Sequence, residues 1–177
     1  MNRISIALTI MSLATLGSPA AAQTTRDSVV ATVNEFFRAM TARDTAATRR
    51  VQLADGISYA VRQRGDSLVV SRGTNEGYVQ QLAAMRDTYV ERMWEPTVLV
   101  HGPIAVVWAP YDIHRNRQFV HCGVDAFTLI RTSAGWRIAT VTYTAEPTGC
   151  APSPLGPLRE LGSESGVRVL TLTPGSE

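Results

Sequence analysis

The stretch Val106–Thr144, VVWAPYDIHRNRQFVHCGVDAFTLIRTSAGWRIATVTYT, constrains the fold more than any other part of the chain. Val, Ile, Thr, Tyr, Phe and Trp fill three runs of strand length, separated by Arg115-Asn116-Arg117-Gln118 and Thr132-Ser133-Ala134-Gly135, both turn-type sequences. Three consecutive antiparallel strands follow from this spacing. Any site the protein has must be built on a face of that sheet.

Upstream, Asp27 to Arg43 carries Val29, Val30, Val33, Phe36, Phe37 and Met40 at helical spacing, with Thr25 or Asp27 available as the cap. A shorter helix is expected from Thr45 to Leu53, ending before Asp55-Gly56. Ile57–Gln63 and Leu68–Ser71 read as strands around a turn, and Thr74 or Asn75 opens a third helix bearing Tyr78, Val79, Leu82 and Met85. From Thr88 the chain is strand-rich: Thr88–Val100, Ile104–His114, Gln118–Arg131 and Trp136–Ala145. Helices followed by a run of antiparallel strands is an α+β order.

The ends read differently. Arg3, the apolar run Ile4–Leu16 and the small residues Ala20-Ala21-Ala22 before Gln23 have the form of a secretory signal peptide over residues 1–22. The run is shorter than the ~20 residues that span a bilayer, so the expectation is a periplasmic or secreted protein with no membrane span after cleavage. Residues 23–150 form the domain. Residues 151–177 begin APSPLGPLRELGSESG and read as a flexible Pro/Gly/Ser-rich tail, in which Val167–Thr173 could add a short edge strand.

Charge excludes several functions. The chain has 17 arginines, no lysine and 15 acidic residues, and its formal charge of +2 falls to +1 when Arg3 leaves with the leader. A nucleic-acid binder would need a concentrated basic face, and Schiff-base catalysis or a phosphate-loop lysine is impossible. No G-x-S-x-G marks a hydrolase nucleophile. His114, Asp112 and His121 could bind a metal, but without a helical H-x-x-x-H or a compact Cys/His cluster neither metal nor cofactor is expected. Cys122 and Cys150 are the only cysteines. Export favours a disulfide between them, with two separate thiols as the alternative, and there is no C-x-x-C spacing for a redox pair.

VNEFFRAMTARDTAA at 33–47, LADGISYAV at 53–61 and above all HCGVDAFTLIRTSAGWRI at 121–138 resemble the NTF2-like superfamily, the cone-shaped α+β fold of nuclear transport factor 2, ketosteroid isomerases and SnoaL-like cyclases. The similarity covers residues 27–146 and is greatest to exported bacterial members called lumazine-binding or DUF4440-like. It implies N-terminal helices packed on the concave face of a strongly curved antiparallel sheet, around a cavity. Such a fold hosts many unrelated activities.

Strand parity indicates which side chains can line that cavity. With Asn116-Arg117 as a two-residue loop, Asp112 faces His121 and Trp108 faces Asp125; with Arg131 opposite Trp136, Thr142 faces Asp125 and Thr140 faces Phe127. The expected ligand-binding face is therefore Trp108, Asp112, His121, Asp125, Phe127, Thr140 and Thr142. A one-residue slip would send one strand's set outward. Compared with the isomerases, Asp125 matches the protonated aspartic acid that donates to an oxyanion, whereas Phe36 stands where their oxyanion tyrosine lies and Val61 where their general base lies.

Two functions are left. One is a non-catalytic exported domain binding a small, partly apolar ligand in the cone. The other is a SnoaL- or isomerase-type enzyme using His121 or Asp125 for proton transfer on a carbonyl compound. The opposite sheet face, with Val124, Ala126, Thr128 and Ile130, is too apolar for water and implies a homodimer.

Overall fold

The computed structural model describes residues 19–158, and side chains from Gln23 onward. Most of the expected signal segment, and the Val167–Thr173 strand, lie outside the described residues. Three helices precede the long strands: α1 (Pro19–Ala42), α2 (Thr45–Val51), then β1 (Gln52–Arg64), β2 (Ser67–Thr74) and α3 (Asn75–Ala84). Then follow β3 (Tyr89–Met93), β4 (Thr97–His101), β5 (Ile104–Arg115), β6 (Gln118–Thr132) and β7 (Gly135–Ala145). The α+β order expected from the sequence is present.

Local chemistry sets the boundaries. Asp44 caps α2 by accepting from the Ala47 N–H at 2.8 Å, and Thr74 caps α3 through Gly77. Thr25 and Asp27 lie inside α1 rather than at its start, because the helix continues upstream to Pro19. The expected strand 88–100 is broken in two at Trp94-Glu95-Pro96, where Glu95 adopts φ +45°. β1 begins at Gln52, earlier than expected, because an irregularity between Gln52 and Ile57 lets the chain enter the sheet directly from α2.

The seven strands form one sheet in the order β2-β1-β7-β6-β5-β3, with β4 also on β5. β1 runs parallel to β7 and every other pairing is antiparallel. The α1 stripe Val29, Val33, Phe36, Phe37 and Met40 packs on Val98, Val107, Phe127, Leu129, Ile138 and Val141 of one sheet face, joined by Leu82 of α3. Phe127 meets Phe36 and Phe37 edge-on at 6.2 and 5.8 Å between ring centres. This helix-covered face is the concave one.

Two bulges decide which residues face it. The β5–β6 hairpin turns on Asn116 and Arg117, both at positive φ, as a two-residue loop requires. Arg115 pairs with Gln118 as expected, but one extra β6 residue is accommodated before Ile113↔His121. A second irregularity between Thr128 and Leu129 shifts β6 against β7 after the expected Arg131↔Trp136 pair. Each bulge displaces the register by one residue and bends the strands.

On the convex face the disulfide expected from the sequence is formed between Cys122 and Cys150, with Cα atoms 6.0 Å apart. It brings the start of the tail onto the sheet, where Ala151, Pro152, Ser153, Gly156 and Pro157 share a groove with Arg92, Asp112, His114 and Phe119. Arg92 binds the Gly156 carbonyl at 2.9 Å.

Candidate functional site

Between α1, α3 and the concave sheet face lies a cavity of about 150 Å3. α1 contributes Phe36 and Met40, β1 Gln52 and Ser58, and α3 Asn75 and Tyr78. The sheet contributes Glu91, Tyr111, Ile113, His121, Asp125, Phe127, Val141 and Tyr143. Five of these are aromatic rings.

Two carboxyl groups meet in this apolar setting. Asp125 is 1% exposed, and its Oδ2 has no donor among the described residues. Glu91 sits on an edge strand, so the residue is only half-buried, but its carboxyl is enclosed beside Asp125. Burial pushes Asp125 up to about 7, opposed only by a hydrogen bond from Glu91. Burial raises Glu91 as well, helped by the charge of Asp125 and the hydrogen bond between them. Two adjacent desolvated carboxyls resist ionising together, so the pair as a unit holds on to a proton.

Above the pair is a phenol–imidazole contact. The Tyr111 hydroxyl lies 2.8 Å from the Thr144 carbonyl and 3.1 Å from His121 Nδ1. A phenol has one hydrogen, and the carbonyl can only accept, so that hydrogen goes to Thr144. His121 then donates from Nδ1 to the phenol oxygen, which leaves Nε2 as a bare acceptor. Burial lowers the His121 pKa against a raising hydrogen bond to the Cys122 backbone, with the positive charge of Arg62 lowering it further. Its neutral form is thus favoured. Burial, then Glu91, raises both Tyr78 and Tyr111, so both phenols stay protonated.

Gly123 makes the Thr144 contact possible. A Cβ there would lie 2.1 Å from the Thr144 carbonyl oxygen, so only glycine lets that carbonyl turn toward Tyr111. The Thr144 hydroxyl meanwhile accepts from the Val124 N–H at 3.1 Å, replacing a ladder bond.

A family model described as "Putative lumazine-binding" matches residues 24–144. The chain belongs to that family. No curated protein matches it. Among solved structures it is similar to an NTF2-like protein from Salmonella enterica, with TM-score 0.57 and 14% identity over 73% of this chain and 96% of the other. An NTF2-like protein with a cystatin-like fold from Novosphingobium aromaticivorans gives 0.56 and 16% over 75% and 88%. One from Cytophaga hutchinsonii gives 0.57 and 11% over 68% and 97%. The fold of this lumazine-binding family member is NTF2-like.

Seven residues were expected to line its cavity, and three do: His121, Asp125 and Phe127. Trp108, Asp112, Thr140 and Thr142 belong to the convex face. The first bulge places Trp108 opposite Ala126 and Asp112 opposite Cys122, and the second places Thr140 opposite Thr128 and Thr142 opposite Ala126. Trp108 is 55% exposed. Asp112 is buried instead by a two-point contact with Arg92, at 2.8 and 2.5 Å, with His114 Nδ1 at 3.6 Å. Their slots in the cavity wall go to the residues one step away, Tyr111, Ile113, Val141 and Tyr143. Glu91 was missed because the expected strand 88–100 had no partner from which to read its parity. Among the described residues no group of three or more His, Cys, Asp or Glu is placed to hold a metal ion.

Proposed function

We propose that this protein is an exported, non-catalytic carrier or sensor domain that holds a small, partly apolar ligand in the cone cavity, its polar edge toward Asp125. The observation that carries the reading is an aromatic-walled cavity of about 150 Å3 with unpartnered oxygens of Gln52, Tyr78 and Asp125 in its wall. A dry engineered cavity of roughly this volume admits one benzene ring, so the ligand is of one-ring size. The leader-like residues 1–22 and the disulfide support export, and among the described residues no helix is long and apolar enough to cross a membrane.

Native mass spectrometry of the protein taken from its own periplasm should show a bound small molecule, absent from a Ser58→Phe variant that fills the cavity. A ligand-free mass together with no thermal shift across a library of one-ring compounds would overturn the proposal.

A second reading is favoured by one observation, the buried carboxyls of Glu91 and Asp125 in a cavity that His121 also lines: a proton-transfer enzyme acting on a carbonyl compound. Exchange of an acidic C–H of a bound cyclic ketone in heavy water, lost in Asp125→Asn, would select it over the carrier reading.

The convex face supports a homodimer. Leu99, Ile104, Trp108 and Ile130 are exposed there at 65, 52, 55 and 39%, around uncharged rows such as Trp108↔Ala126↔Thr142. A second copy would cover it.

A further inference from the structure

The cavity has walls, a size and an inventory of polar groups, and two acids lead the inventory. Five buried side-chain atoms lack a hydrogen-bond partner among the described residues, and the three that belong to cavity-lining residues are all oxygens: Gln52 Oε1, Tyr78 Oη and Asp125 Oδ2. Gln52 is 7% exposed and Asp125 1%, so water does not satisfy them from outside. His121 Nε2 joins them as an acceptor once Nδ1 has donated to Tyr111. Of the lining groups that carry hydrogens, Tyr111 gives its own to the Thr144 carbonyl at 2.8 Å and the Asn75 amide gives its pair to the carbonyls of Leu53 and Ile138 at 2.8 and 3.4 Å, whereas the Tyr78 hydroxyl is uncommitted and can give or accept.

The charge inventory points the same way. Two acids and no side-chain cation line the cavity. The exposed Arg62 lies with its guanidinium 5.9 Å from the Tyr143 ring centre and does not line the cavity. The apolar wall is mostly rings, from Phe36, Tyr78, Tyr111, Phe127 and Tyr143, with Met40, Ile113 and Val141 completing it. Aromatic faces attract cations through the ring quadrupole, the more so when both are desolvated. A buried acid pair without a counter-ion, a Gln52 amide oxygen without a donor and a largely aromatic wall describe a receptor for one kind of molecule.

We infer that the cavity binds a small organic ammonium ion, an amine of about one ring's size, whose N–H groups go to Asp125 and Gln52 and whose apolar part lies among the aromatic rings. The inference rests on the ligand-binding reading above and names its ligand class. A neutral lactam or phenol would leave the acid pair uncompensated, and a carboxylate would meet two acids with no cation facing it.

The pH dependence has a definite sign. The ammonium ion binds the singly ionised pair, so affinity rises as pH increases through about 7, where Asp125 loses its proton. Around the pair stand Tyr78 on α3, Tyr111 on β5 and Tyr143 on β7, with His121 on β6, Arg62 on β1 and Asp112 behind the sheet. The two phenols beside Glu91 stay protonated throughout, and His121 is held neutral by burial.

Isothermal titration with benzylamine, benzyl alcohol and benzoate, three probes of nearly one shape and three charges, tests the inference. Benzylamine at pH 8 should bind at least about tenfold tighter than benzyl alcohol, as an ionic hydrogen bond does over a neutral one. Its affinity should fall about tenfold from pH 8 to pH 6. Asp125→Asn, checked for folding by its melting temperature, should lose the preference for the amine and keep benzyl alcohol binding. If benzyl alcohol or benzoate binds as tightly as benzylamine, the ammonium inference is overturned and the cavity reading stands. If none of the three binds, both are overturned.

Discussion

Replacing Asp125 by Asn should change the slope of stability against pH. The Asp125 carboxyl is 1% exposed and its pKa is raised from an ordinary 3.8 to about 7, chiefly by burial. The folded state therefore binds a proton more tightly than the unfolded chain. Stability from this group is fully present below the unfolded value and is lost as pH rises toward and through the folded one. Between pH 5 and pH 8 the loss amounts to about 2.5 kcal/mol. For a domain of this size that is roughly 5–10 °C in melting temperature. Asn mimics the protonated acid and cannot ionise, so Asp125→Asn should resemble the wild type at pH 5 and melt higher at pH 8. His114 and His121, both lowered by burial, contribute with the opposite sign near pH 6. They are present in both proteins and drop out of the difference. Differential scanning calorimetry of the two proteins at half-unit pH steps reads the difference directly. A gap that does not widen between pH 5 and pH 8, or one that widens in favour of the wild type, would show that the carboxyl is solvated or ion-paired.

Further outcomes follow from the convex side. Replacing Cys122 and Cys150 together by Ser should cost about 3.5 kcal/mol from the loop they close, seen as a lower denaturation midpoint and not as lost binding. Arg92→Met leaves Asp112 buried without its partner, the two side chains being 16% and 6% exposed, and should cost about 3–5 kcal/mol in urea unfolding. Light scattering at tens of micromolar should give a dimer for the wild type and a monomer for Trp108→Glu; a monomeric wild type would refute the apolar-face argument.

The order of elements was legible because it depends on patterns that survive small errors: the α1 stripe, the turn residues at 115–118 and 132–135, the Asp44 and Thr74 caps. The cavity wall depends on parity, and parity does not survive a bulge. His121, Asp125 and Phe127 were placed correctly because they share one strand, where no bulge intervenes. Trp108 and Asp112 were carried across one irregularity, and Thr140 and Thr142 across another, so each pair landed on the wrong face. No glycine or proline marks the bulged residues, so nothing in their chemistry announces the shift. The raised pKa of Asp125 could be anticipated from its apolar neighbours in sequence. Its partner Glu91 could not, because it comes from a strand that pairs with β5 across a split invisible to periodicity.

The bare α-carbon at Gly123 controls a hydrogen that belongs to another residue. As long as the Thr144 carbonyl can turn inward over that glycine, the Tyr111 phenol is spent on it and has no hydrogen left for a ligand in the pocket. A side chain at position 123 would evict the carbonyl and free the phenol to donate to a ligand oxygen, the role that an enolate-stabilising enzyme of this fold needs. Capture of a cation and stabilisation of an anion are in this sense one α-carbon substituent apart, and the choice between them is made on a strand position that never touches the ligand.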